Sequence, residues 1–144
     1  MLEENNAQDE LRRIDHLLFV TLKYTRTVDI IKSIVEKFVL AINYQTDDIF
    51  EHLLENKKIK EIPKVPLVRV RKLEELFPKD KTIKDIVDYY VMLKKILNAE
   101  HRKREEYRKN VTLVTQDTEI NIEKLKNYSK VTTEYVNYLK GLIE

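Results

Sequence analysis

The chain has 144 residues, a formal net charge of +2, 36% charged residues and no cysteine. This length suits one domain with one hydrophobic core, and the lack of cysteine excludes disulfides, thiolate chemistry and most structural zinc sites. The single glycine, Gly141, lies near the end of the chain, which excludes the glycine-rich turns of Rossmann folds and P-loops. Abundant charged residues without cysteine are typical of proteins from thermophiles.

The first predicted element is a long helix that begins near Asp9 and runs to about Tyr44. Apolar side chains recur at steps of three, four or seven residues, which places them on one side of an α-helix. They are Leu17, Tyr24, Val28, Ile31, Val35, Phe38 and Ile42. We expect residues 1–8 to be disordered, and their acidic, polar character is unlike a signal peptide. No apolar run approaches the roughly 20 residues of a membrane span, so we expect a cytoplasmic protein with no membrane partner.

A second helix is predicted from a cap at Thr46 to about Asn56, because the two aspartates after the cap suit the N-terminal end of the helix dipole. The connector Lys57–Val65 is basic. Pro66 follows it and favours the first turn of a short helix, since its missing N–H is not needed there. We expect this helix to end at Phe77.

A long third main helix is predicted from a capping box at Thr82 to Lys109, although its apolar stripe stops before its charged end. Residues 111–122 are rich in β-branched side chains with rough alternation, so they form either a small β-hairpin or an extended loop. Asn121 is placed to cap the last helix, which shows regular apolar spacing to the end of the chain.

These elements predict an all-α fold. We expect residues 1–144 to form a single domain, built as an antiparallel bundle of four main helices plus a short helix, with either a small β-hairpin or an extended loop near 111–122.

The sequence predicts no catalytic residue, no metal site and no cofactor. His16, His52 and His101 are isolated from one another and from the paired carboxylates that a zinc or di-iron site needs. No serine has the flanking glycines of a nucleophile elbow, the sharp turn that carries a catalytic serine.

The charged end of the predicted third helix is the main candidate for binding RNA or a protein partner. Its residues are Arg102, Lys103, Arg104, Tyr107, Arg108 and Lys109. A solvated helix face is the alternative, because Glu100, Glu105 and Glu106 offset part of the charge. The segment Lys57–Lys72, with a local excess of cations, is interpreted as a solvated connector because no aromatic residue interleaves its charges.

Two residues outside these segments are secondary candidates. Arg26 lies close to Asp29 along the predicted first helix, which favours either a salt bridge or a phosphate contact. Tyr138 falls off the apolar stripe of the last helix, where Tyr128 and Tyr135 face the core, so it could stack on a base or pack against a partner.

Around Tyr107-Arg108-Lys109-Asn110 the order of parts resembles that of HEPN domains. Two long helices, this turn, the irregular segment 111–119 and a closing helix follow the layout of that family across most of the chain. The resemblance implies metal-free RNA cleavage, in which a histidine moves protons and an arginine stabilises phosphorane charge. Only Arg108 carries over, and no histidine follows it. The resemblance therefore implies a binding or dimerising member without the catalytic pair.

Together these features predict a non-enzymatic helical interaction module that forms a homodimer or binds another protein. The alternative hypothesis is a HEPN-like protein that binds RNA, or cleaves it without metal, with nucleic acid as its partner. A small-ligand or regulatory bundle is a third hypothesis.

Overall fold

The structure of this chain is a computed structural model that describes residues 6–144. Within them, helices α1 (Ala7–His16), α2 (Leu22–Tyr24), α3 (Val28–Glu55), α4 (Pro66–Leu76), α5 (Lys81–Asn98) and α6 (Ile122–Gly141) pack with a small three-stranded sheet. A π-helical turn, Leu17–Thr21, joins α1 to α2. The mostly helical fold predicted from the sequence is confirmed, and no described helix is long and apolar enough to cross a membrane.

The predicted first helix is wrong in its extent. It begins at Ala7 with Asn6 as its cap, so residues 7 and 8 are helical and not disordered, whereas residues 1–5 lie outside the described part of the chain. It also does not run to Tyr44, because the backbone leaves the helical region from Thr25 to Thr27. The apolar stripe continues across this break because α1 and α3 pack against each other and bury their faces in one core.

Helix α3 then passes through the predicted boundary at Thr46 and ends only at Glu55. The predicted cap at Thr46 is wrong because its side chain is fully buried inside the helix, between buried Ile42 and Ile49. Tertiary packing on both sides of this position outweighs the local preference of threonine for a cap.

Helix α4 begins at Pro66 as predicted, but α5 is much shorter than expected. The predicted capping box at Thr82 is wrong, because the cap is Asp80, whose side chain accepts a hydrogen bond from the Ile83 N–H at 3.0 Å. Helix α5 ends at Asn98, so the prediction that it continues to Lys109 is wrong. The charged residues after it have no apolar side chains to bury on a helix face, and three of them join a sheet instead.

The sheet contains β1 (Arg102–Arg104), β2 (Thr112–Val114) and β3 (Glu119–Ile120), in that order and antiparallel throughout. Residues 111–122 therefore contain the hairpin and not the extended loop. Its turn is closed by Thr115, whose hydroxyl accepts the Thr118 N–H at 3.0 Å. No sequence pattern predicted β1, which pairs Lys103 with Leu113.

Candidate functional site

The loop after β1, residues 105–110, lies against the break before α3. The Tyr107 N–H donates a hydrogen bond to the Arg26 carbonyl oxygen at 2.7 Å. The Glu106 carboxylate accepts the Val28 N–H at 2.8 Å, and so satisfies a free donor at the start of α3, where the helix dipole favours a negative charge. The structure thus brings Arg26 together with Tyr107, which lie far apart in the sequence. We call the exposed side chains of residues 19–26 and 105–110 the turn–loop surface.

The backbone of this loop is held in a conformation that side chains other than glycine rarely adopt. Glu105 has a φ of 52° and Tyr107 a φ of 69°, on either side of the anchored Glu106. For a bulky residue such as tyrosine the left-handed region costs about 1–2 kcal/mol. The contacts made by Glu106 and the Tyr107 N–H offset this cost, so the loop presents its side chains from a fixed backbone.

Large apolar side chains on the turn–loop surface face solvent. Tyr24 is 81% exposed, Tyr107 is 74% exposed and Phe19 is 55% exposed, and Val20 is also exposed. The sequence stripe placed Tyr24 in the core, which is wrong, because the π-helical turn and the break at Thr25 rotate this residue away from the buried face. Phe19 also faces a cation, since the Lys126 ammonium lies 5.8 Å from its ring centroid.

The predicted cations divide into paired and unpaired groups. Arg104 forms two hydrogen bonds with Glu119, at 2.6 and 3.1 Å, and this guanidinium lowers the pKa of the Glu119 carboxyl. Lys103 lies 3.8 Å from an Asp29 carboxylate oxygen. The side chains of Arg102, Arg108 and Lys109 are exposed and form no hydrogen bond or ion pair with any residue from 6 to 144.

Arg26 does not make the salt bridge that its spacing favoured, since Asp29 pairs with Lys103 instead. Its Nε atom is buried and has no hydrogen-bond partner among the described residues. The Arg26 carbonyl is nevertheless the group that anchors the loop, so its backbone rather than its side chain organises the surface.

Tyr138 lies elsewhere in the molecule. Its hydroxyl donates to Asp80 Oδ2 at 2.5 Å, and this bond raises the pKa of Tyr138 and lowers that of Asp80. Asp80 caps α5 at the end opposite the sheet, and the 18 residues of α5 span about 27 Å. Tyr138 is therefore separate from the turn–loop surface.

The histidines lie apart from one another. His16 and His52 are exposed, and the His52 ring nitrogen lies 3.3 Å from the Asn56 side-chain nitrogen. His101 lines an open cavity of about 560 Å³ with Glu100 and Arg102 on one side and the hairpin turn on the other. Between residues 6 and 144 no three His, Cys, Asp or Glu side chains converge as a metal site would require.

Sequence reasoning missed Glu106 as the residue that fixes the site. It counted Glu106 only as a charge that offsets its basic neighbours, because a contact over 78 residues leaves no local pattern. The break that Glu106 contacts did have a local signal, namely the threonines on either side of Arg26. Threonine favours helix caps, and Thr27 does cap α3.

No protein-family model, no curated protein and no solved structure matches this chain.

Proposed function

We propose that this protein is a non-enzymatic binding module that forms a homodimer through the turn–loop surface. The observation that carries the proposal is the presence of two highly exposed tyrosines, Tyr24 and Tyr107, on segments joined by the Tyr107–Arg26 hydrogen bond. Exposed apolar side chains that cluster on a surface mark sites of association, and tyrosine and arginine dominate the binding energy of protein interfaces.

The fixed backbone of the loop supports this proposal. A side chain that is already held in place loses less conformational freedom on binding than one on a mobile loop. Glu106 and the Tyr107 N–H supply that rigidity from within the monomer. In a twofold dimer the same surface would meet its own copy, so each Tyr107 would be available to the partner's aromatic side chains.

Binding rather than catalysis is favoured by the residue types on the turn–loop surface. It offers phenols, apolar side chains and guanidinium or ammonium groups. Neither of its segments, residues 19–26 and 105–110, contains a histidine that could transfer a proton near neutral pH.

Single-stranded RNA is the second candidate partner. The exposed cations Arg102, Arg108 and Lys109 favour it, because they lie on the loop and on the strand that precedes it and form no hydrogen bond or ion pair with any described residue. Exposed tyrosine rings beside such cations are the combination on which unpaired bases stack.

The experiment compares the wild type with the double variant Tyr24→Ser, Tyr107→Ser by sedimentation velocity over a range of concentrations. We expect the wild type to be a dimer and the variant to be a monomer, because the substitutions remove the two most exposed aromatic rings of the turn–loop surface. Tyr138→Ser is the control, since this tyrosine of α6 bonds Asp80 at the start of α5, away from the turn–loop surface. A wild type that stays monomeric at all concentrations would contradict the homodimer.

The same proteins are then titrated against fluorescein-labelled oligouridylate at two salt concentrations with EDTA present, and the RNA is examined on a denaturing gel. Binding that weakens steeply with salt, with a log–log slope reduced by about one in Arg108→Ala, would favour the RNA alternative. A cleaved product would contradict the non-enzymatic proposal.

A further inference from the structure

The chain carries a second surface on the side of α4 that faces away from the core. The side chains of Val70 and Leu73 are buried on the inner side of this helix. Val68 is 49% exposed, and Val65, the N-cap residue, is 55% exposed. Lys64 and Arg71 are exposed beside them. Val68 and Arg71 lie three residues apart and so share one face of α4, and Lys64 and Val65 directly precede its first residue, Pro66. These four residues and the preceding lysines, Lys57, Lys58 and Lys60, form what we call the connector–α4 surface.

The charge on this surface is not neutralised within the protein. The side chains of Lys57, Lys58, Lys60, Lys64 and Arg71 are exposed and form no hydrogen bond or ion pair with any described residue. The neighbouring Lys72 is paired instead, since its ammonium lies 3.2 Å from a Glu75 carboxylate oxygen. A run of unpaired cations of this kind attracts a partner of opposite charge.

The connector is also attached firmly to the helices. The Lys57 and Lys58 N–H groups bond the last carbonyls of α3 at 3.0 and 2.9 Å, and Ile59 packs against the core. Further along, Arg69 donates to the Pro63 carbonyl at 3.1 Å and makes an ionic contact of 3.1 Å with Asp47 of α3. The lysines therefore project from an ordered backbone, which lowers the entropy that a partner must remove on binding.

We propose that the connector–α4 surface binds an acidic amphipathic helix of a partner protein. The exposed side chains of Val68 on α4 and of Val65 at its N-cap fit the apolar side of such a helix, and the neighbouring cations fit its carboxylates. Nucleic acid is disfavoured because the segment from Lys57 to Lys72 has no aromatic ring on which bases could stack. A lipid surface is disfavoured because interfacial helices insert larger side chains such as Trp, Phe and Leu. The exposed apolar side chains of the connector–α4 surface are only valines, Val65 and Val68.

The test uses a fluorescein-labelled synthetic peptide of about 16 residues that alternates Glu and Leu pairs in a helical pattern. We expect the wild type to bind it at low salt and to release it as salt screens the charges. The triple variant Lys58→Glu, Lys60→Glu, Lys64→Glu should weaken binding by about tenfold or more, because like charges then face each other. Val68→Ser should weaken binding by about threefold, because it removes apolar contact.

The matched control is Lys95→Glu, Lys130→Glu, Lys140→Glu, which changes the net charge equally at exposed positions on α5 and α6. Equal losses in the two triple variants would overturn the proposal, because net charge alone would then explain binding. Unchanged binding by Val68→Ser, or equal binding of an all-Glu peptide, would also overturn it.

If the peptide does not bind but the connector lysines are needed for oligouridylate or for phosphatidylserine vesicles, the partner is not an acidic helix. Thermal melts confirm that each variant is folded.

Discussion

At the residue scale, Lys57 shows how a helix can end without glycine. It follows α3 with a φ of 58°, and the two N–H groups of Lys57 and Lys58 satisfy carbonyls of the last turn. Glycine is the usual residue at this position, because a side chain in the left-handed region clashes with its own backbone. The sequence correctly ended a helix near Asn56, but it contained no glycine to mark the turn that follows.

We expect Lys57→Gly to raise the free energy of unfolding by about 1 kcal/mol, because it removes the cost of a left-handed lysine while keeping both capping hydrogen bonds. Urea denaturation measures the change. Lys58→Gly is the control, and it should lower stability slightly because the backbone of Lys58 does not have a positive φ. If Lys57→Gly is neutral or destabilising, the left-handed backbone of Lys57 does not cost stability.

At the element scale, α5 and α6 pack through a cluster of tyrosines. The Tyr89 ring lies 5.9 Å from that of Tyr128 and 5.4 Å from that of Tyr135, both edge-on. Its hydroxyl lies 2.8 Å from the Thr132 hydroxyl, and burial raises its pKa above the ordinary value of 10.0. The sequence predicted Tyr128 and Tyr135 on the core stripe, but it did not predict Tyr89 as their common partner, because residues on different helices leave no shared spacing.

This cluster predicts loss of stability in alkali. A raised pKa means that the folded state favours the neutral phenol, so the stabilisation is complete below about pH 10 and is lost as pH rises above it. Tyr89→Phe should lower the free energy of unfolding by about 1–2 kcal/mol at neutral pH, because it removes the hydrogen bond with Thr132 and the one that the Tyr89 hydroxyl donates to the Tyr128 carbonyl oxygen at 3.1 Å. It should also flatten the decline above about pH 10, measured by urea denaturation at each pH.

The control is Thr132→Val, which removes the hydrogen bond between Thr132 and Tyr89 but keeps the buried phenol and its bond to the Tyr128 carbonyl oxygen. It should therefore retain the alkaline decline of the wild type. If Tyr89→Phe and the wild type lose stability in parallel as pH rises, ionisation of Tyr89 is not the cause.

At the scale of the whole molecule, the sheet belongs to the same core as the helices. Val111, Leu113 and Ile120 are buried in one cluster with side chains from α1, α3, α4, α5 and α6. Strand β2 is buried along its whole length, whereas β1 is exposed and carries the cations of the candidate site. The small sheet therefore cannot bury its apolar face without the bundle.

We expect Leu113→Ala to destabilise the whole protein by about 2–4 kcal/mol, since this side chain is 1% exposed. Helix unfolding followed by circular dichroism and tyrosine fluorescence should still coincide in one transition, because both reporters depend on one core. Val68→Ala at an exposed position is the control and should change stability by less than about 0.5 kcal/mol. An early separate transition in Leu113→Ala would mean that the sheet unfolds independently.

The sequence by itself determined that the chain is mostly helical, where α4 and α6 begin, and which residues carry positive charge around position 105. It could do so because helical periodicity, proline at a first turn and asparagine caps are local signals. Only the tertiary structure decided that the first helix breaks at Thr25–Thr27, that α3 passes through Thr46 and that residues 102–104 form a strand. It also decided that Arg26 meets the 105–110 loop, because contacts such as that of Glu106 with α3 join segments 78 residues apart and outweigh local preference.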